Sequence, residues 1–105
     1  MRVYIAHPFS ADVAGNVERL RRICRSVVAE GHVPIAPQLF LPAFIDEATE
    51  RELALRLCEE LVAGCHAVWL HGAPITEGME REIAAAFRRG IPVVCRLFRC
   101  SWGQA

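Results

Sequence analysis

Short unbroken apolar runs alternate along this chain with longer stretches in which apolar residues recur every three or four positions. Arg2-Val3-Tyr4-Ile5-Ala6 is the first such run, and its continuous apolar character predicts a strand in the middle of a sheet covered on both faces. His7-Pro8-Phe9-Ser10 stops it. Val13, Val17, Leu20, Cys24 and Val27 or Val28 then mark one side of a helix whose outer face carries Glu18, Arg21, Arg22 and Arg25, with Gly31 closing it. His32 to Ala36 predicts a second strand, at a sheet edge or interrupted, because Pro34 has no N–H for a ladder. Pro37 to Ile45 follows as a long loop over the end of the sheet.

Asp46 is placed to cap the next helix, with Leu53, Ala54, Leu57, Cys58, Leu61 and Val62 inward. Arg51, Glu52, Arg56, Glu59 and Glu60 point largely outward, and Gly64 ends the helix. Ala67 to Leu70 is a short buried strand, and His71-Gly72-Ala73-Pro74 leads to Thr76. From that cap, Met79, Ile83, Ala86 and Phe87 recur at helical spacing until Gly90, before a last strand over Ile91 to Arg96. The tail from Leu97 to Trp102 carries enough large apolar side chains to pack against the body or a neighbour.

Strand and helix therefore alternate from end to end. This predicts an α/β fold in one domain over 1–105: a three-layer sandwich with a small four-stranded parallel sheet, flavodoxin- or Rossmann-like, joined by right-handed crossovers. Ligands of such sheets bind beyond the carboxyl ends of the strands, where the strand order reverses. His7 to Ser10, Pro37 to Phe44 and His71 to Glu82 are accordingly expected to converge on one cleft.

The apolar fraction of 53% exceeds the usual range of about 45–50%, which excludes disorder and leaves surface for another subunit, so a homodimer is expected. Twelve basic and twelve acidic residues cancel, without the basic excess of a nucleic-acid binder. Five cysteines, an odd number with no secretory segment before them, indicate small core residues in a reducing compartment, Cys95 beside Val93 and Val94 among them. No apolar run approaches the roughly 20 residues of a spanning helix; a soluble cytoplasmic protein without a membrane partner is expected.

Several chemistries are disfavoured by what is missing. No G-x-G-x-x-G follows the first strand, there is no G-x-S-x-G, and the chain has no lysine for a P-loop. His7, His32, His66 and His71, with Cys65, match no standard metal spacing, so neither metal nor cofactor is expected. Carboxylate chemistry remains. Gly78 lies one turn before Glu82 and leaves the surface N-terminal to it open, so a ligand reaches both the carboxylate and the first-turn N–H groups near Thr76 to Met79. An exposed glutamate at a cleft mouth can attack the anomeric carbon of a sugar, and helix N-terminal amides suit a phosphate on that sugar. Two roles are open to Tyr4, a hydroxyl near the carboxylate or plain core packing. A second acid or base is needed for the leaving base.

Val3-Tyr4-Ile5-Ala6-His7-Pro8-Phe9, together with Thr76, Gly78, Glu82, Ala86, Gly90, Pro92 and Val93, resembles the nucleoside 2-deoxyribosyltransferase-like superfamily, which includes nucleotide N-glycosidases acting on deoxynucleoside monophosphates. Closer still is a DUF4406-like group of short phage and bacterial proteins sharing the elements at Gly31 to Pro37, Arg51 to Leu55 and, as EGM-x-x-EI, Glu77 to Ile83. The resemblance implies hydrolysis or transfer at the N-glycosidic bond of a nucleoside or nucleoside 5′-monophosphate, with Glu82 the nucleophile and Tyr4 the active-site tyrosine. By the same resemblance Thr76 and Gly78 shape the substrate pocket or handle phosphate, and His7, Pro8, Phe9 and Ser10 surround the sugar phosphate; Met79 joins the substrate-binding candidates through the first-turn amides. The family's catalytic aspartate falls near Cys58, a further aspartate is His66, and the loop after the first strand lacks the glycine and arginine of the monophosphate hydrolases. Glu59, Glu60 or His7 are the candidates to supply the missing acid. The competing readings are a nucleotide-binding protein without turnover and a structural or regulatory homo-oligomer.

Overall fold

The computed structural model of the chain describes residues 1–9, 12–72 and 74–96; Ser10 and the expected apolar tail lie outside them. Four strands, β1 (Arg2–Ala6), β2 (Val33–Ile35), β3 (Ala67–Leu70) and β4 (Val93–Cys95), alternate with three helices, α1 (Val13–Ala29), α2 (Arg51–Ala63) and α3 (Glu77–Arg88). The strands form one parallel sheet in the order β2-β1-β3-β4. As expected, β1 is internal and β2 is an edge strand, where Pro34 lies opposite Val3. The chain leaves β1 first towards β2 and then towards β3, so the strand order reverses between β1 and β3.

Period-two alternation sorts the inner strands onto two layers. Tyr4, Ala6, Val68 and Leu70 pack with Val62 of α2 and with Met79, Ala85 and Ala86 of α3. Val3, Ile5, Ala67 and Trp69 pack on the opposite side with Leu20 and Val27 of α1. The result is the three-layer α/β sandwich expected. Burial of each large side chain in these two clusters contributes roughly 1.5–3 kcal/mol. No helix among the described residues is long and apolar enough to cross a membrane.

Four local expectations are corrected. Helix α2 begins at Arg51 rather than after Asp46: the Asp46 carboxylate accepts from Ala48 N at 2.9 Å, and the Asp46 carbonyl accepts from Glu50 N at 2.7 Å. An aspartate that bonds the backbone two residues on builds a turn and is no longer free to cap a helix. The loop after β2 contains two 3-10 turns, Pro37–Leu39 and Leu41–Ala43. Phe87 is 69% exposed, because the buried stripe of α3 runs through Met79, Glu82, Ala85 and Ala86 and leaves Phe87 to one side. Cys95 is exposed and not core, at the end of an edge strand three residues long.

Candidate functional site

A cleft opens beyond the carboxyl ends of the strands, on the side of the sheet covered by α2 and α3. His7 and Phe9 reach it from the end of β1, and Pro37, Gln38, Leu41, Pro42 and Ile45 from the segment after β2. Glu47, Arg51, Ala54, Leu55 and Cys58 supply one wall at α2; Thr76, Gly78, Met79 and Glu82 supply the facing wall at α3. Of the residues singled out from sequence, His7, Phe9, Thr76, Gly78, Met79 and Glu82 are thus brought together. Pro8 is buried beside Gly72 and does not line the cleft. Of the α2 wall, Ala54 and Cys58 were expected to face inward, whereas Arg51 was turned outward and Leu55 given no place; the available signal was Arg51, Leu55 and Cys58 at intervals of four and three, one face of a helix.

Glu82 is only 8% exposed, so it forms part of the inner wall and is not the exposed carboxylate expected at the mouth. Tyr4, fully buried on β1, donates its hydroxyl to Glu82 Oε2 from behind and does not itself line the cleft. Burial pushes the Glu82 carboxyl up to about 7; the Tyr4 hydrogen bond pulls against this, and the charge of Glu59 adds to it. Burial, then the Glu82 and Cys58 charges, hold Tyr4 well above the usual phenol range. The Cys58 thiol is pushed up to about 11, chiefly by burial; Tyr4 opposes the shift, and the charges of Glu82, Glu47 and Glu59 add to it. Tyr4, Cys58 and Glu82 therefore form one electrostatically linked group. A Cβ on Gly78 would meet Leu55 Cδ2 at 3.5 Å, an ordinary contact, so this glycine keeps the wall low without being sterically compelled.

His7 is buried, and its Nδ1 lies 2.7 Å from the Pro8 carbonyl, which assigns the ring proton to Nδ1. Burial lowers its pKa, with the Pro8 bond opposing and Arg19 assisting; His7 is a neutral ring and not the general acid considered from sequence. Gln38 Nε2 donates to the His7 carbonyl, while Gln38 Oε1 is buried without a hydrogen-bond partner among the described residues. Gly72 lets the loop after β3 approach this corner. Its φ is +77°, and a Cβ there would sit 2.8 Å from Pro8 Cδ and 2.9 Å from His7 Nε2.

The other candidate acids are engaged elsewhere. Glu59 accepts from Arg81 Nε at 2.7 Å, and Glu60 is a largely exposed side chain 4.0 Å from Arg89. At the mouth, Arg51 bridges Glu47 Oε1 at 3.0 Å and Glu77 Oε1 at 3.3 Å. Thr76 caps α3 as expected, accepting from Met79 N at 3.2 Å, and Glu77 and Glu80 occupy the first turn. Those carboxylates already complement the positive end of the helix.

The family model for a domain of unknown function (DUF7768) matches residues 1–96. No curated protein matches the chain. Among solved structures, a 2-deoxyribosyltransferase from the psychrotolerant bacterium Bacillus psychrosaccharolyticus is similar, with a TM-score of 0.66 and 18% identity, over 90% of this chain and 71% of that one. A likeness at that identity extends to the fold.

Proposed function

This chain belongs to the DUF7768 family of domains of unknown function, and we propose that its cleft breaks the N-glycosidic bond of a nucleoside, with Glu82 as nucleophile. One observation carries the reading: a buried carboxylate on the wall of the cleft, held from behind by Tyr4 and facing the space where a ligand would sit. The likeness in fold to a 2-deoxyribosyltransferase supports the reaction class.

In this mechanism the Tyr4 hydroxyl fixes Oε2 and favours the ionised carboxylate, leaving Oε1 to attack the anomeric carbon. The base departs, and a glycosyl ester on Glu82 is resolved by water or by an acceptor base. With a carboxyl near 7, a large share of the protein at neutral pH carries the charged nucleophile, and the low dielectric that raised the value also strengthens the attack. A homodimer belongs to the same reading, since Leu39, Phe40 and Phe44 expose apolar surface in the segment that borders the cleft.

The test is release of free base from nucleosides and nucleoside 5′-monophosphates, with and without an acceptor base, by wild type and by Glu82→Gln. Release that disappears in the variant supports the reading. Cys58, standing where a carboxylate was expected, favours the competing account of binding without turnover. That account is the better one if ligands raise the melting temperature and no base is released.

A further inference from the structure

We propose that the substrate of this cleft is a nucleoside whose base is already cationic, a pyridinium riboside or an N7-alkylated purine nucleoside, and that it carries no 5′-phosphate. The inference rests on the N-glycosidase reading and adds to it the class of leaving group. Two sets of observations lead to it.

The first is the balance of charge. Arg51 is the cationic side chain on the cleft wall among the described residues, and its guanidinium is shared between Glu47 and Glu77. Glu47 and Glu82 line the same space. Ser10, Ala11 and Ala73, the loop residues outside the described set, are uncharged by sequence. At the start of α3, Met79 N is taken by Thr76, and Glu77 and Glu80 stand in the turn where an anion would bind. Among the described residues a phosphate finds carboxylates here and no unshared cation on the cleft wall, whereas a cation meets a field of the right sign.

The second is the supply of protons. A neutral base leaves slowly unless an acid protonates it, and a useful acid titrates near the working pH. Cys58 holds its proton up to about 11, His7 is neutral with its Nδ1 proton committed to Pro8, and Glu59 is tied to Arg81. Tyr4 is spent on Glu82. A cationic base needs none of them. An oxygen of ionised Glu82 bonds to the anomeric carbon while the C–N bond breaks, and the electron pair of that bond stays on the ring nitrogen, so the base leaves neutral without a proton. Water then bonds to the anomeric carbon as the glycosyl–Glu82 bond breaks; the carboxylate is restored and the proton of the water goes to solvent. The arriving positive charge also favours the ionised form of Glu82.

The experiment compares kcat/KM of the wild-type protein, after subtraction of uncatalysed release, for nicotinamide riboside, its 5′-monophosphate, inosine and thymidine. The expected result is at least a tenfold preference for nicotinamide riboside over the other three, lost with Glu82→Gln, narrowed severalfold by Glu47→Gln and kept by Glu47→Asp. If a neutral nucleoside is cleaved as well or better, the cationic-base inference is overturned, and if the 5′-monophosphate is, the exclusion of a 5′-phosphate is overturned; in either case the N-glycosidase reading stands. If no compound releases base, the N-glycosidase reading fails and takes this inference with it.

Discussion

The hydroxyl of Tyr4 donates to Oε2 of Glu82 across 78 positions of sequence, from a fully buried strand residue to a helix residue on the cleft wall. The bond favours the ionised carboxylate against burial. Tyr4→Phe removes it, so the Glu82 carboxyl moves further up and the acid limb of the kcat/KM profile shifts to higher pH. A hydrogen bond to a charged group contributes roughly 1.5–3 kcal/mol, equivalent to a fall of about tenfold to a hundredfold at pH 7. An unchanged pH–rate profile would remove Tyr4 from the mechanism.

Glu82 stores instability. Its carboxyl stands near 7 in the folded chain against an ordinary value of 4.5, so between these values the folded state binds more protons than the unfolded one and stability falls as pH rises. The loss begins above about 4.5, is complete once the pH has passed about 7, and amounts to something on the order of 3 kcal/mol. Glu82→Gln keeps an acceptor for Tyr4 and carries no charge. It is expected to melt higher than wild type at pH 8 and equally at pH 4; calorimetric scans at the two pH values measure the difference, and a variant no more stable at pH 8 than at pH 4 relative to wild type contradicts the assignment.

Cys58→Asp places a carboxyl beside Tyr4 and Glu82, where burial and the charges of Glu82, Glu47 and Glu59 will raise its pKa and make it an acid near neutrality. General acid catalysis typically contributes about a hundredfold or more. The variant should gain turnover on inosine and thymidine by one to two powers of ten, on the order of that effect, and gain little on nicotinamide riboside. Equal gains on both substrates would mean that the leaving base is not what limits the wild-type protein.

Gly72→Ala forces a side chain into left-handed backbone and against Pro8 and His7, at 2.8 and 2.9 Å. Together these cost about 2 kcal/mol or more, read as a lower urea midpoint at unchanged slope. Activity should fall further than stability, since the contact displaces His7 from the cleft. Gly78→Ala, with ordinary contacts to Leu55 Cδ2 at 3.5 Å and Thr76 Oγ1 at 3.9 Å, is expected to stay within about 1 kcal/mol of wild type in stability.

The architecture was legible in the sequence because it depends on local, repeating signals. The apolar runs around Tyr4 and Val68, the helical stripes through Leu20, Val62 and Met79, and the missing N–H of Pro34 each act over a few residues, and together they specify strands, layers and the edge position of β2. Even the cleft's location follows from strand order. What only the tertiary structure decided is the character of the groups inside it. Glu82 is a carboxylate near 7 because the packing of α3 buries it, against the opposing pull of the Tyr4 hydroxyl, His7 is neutral because of its enclosure beside Pro8 and Gly72, and Arg51 is neutralised by Glu77 from another helix. Burial and charge balance are sums over neighbours brought together from distant parts of the chain, and no window of sequence contains that sum.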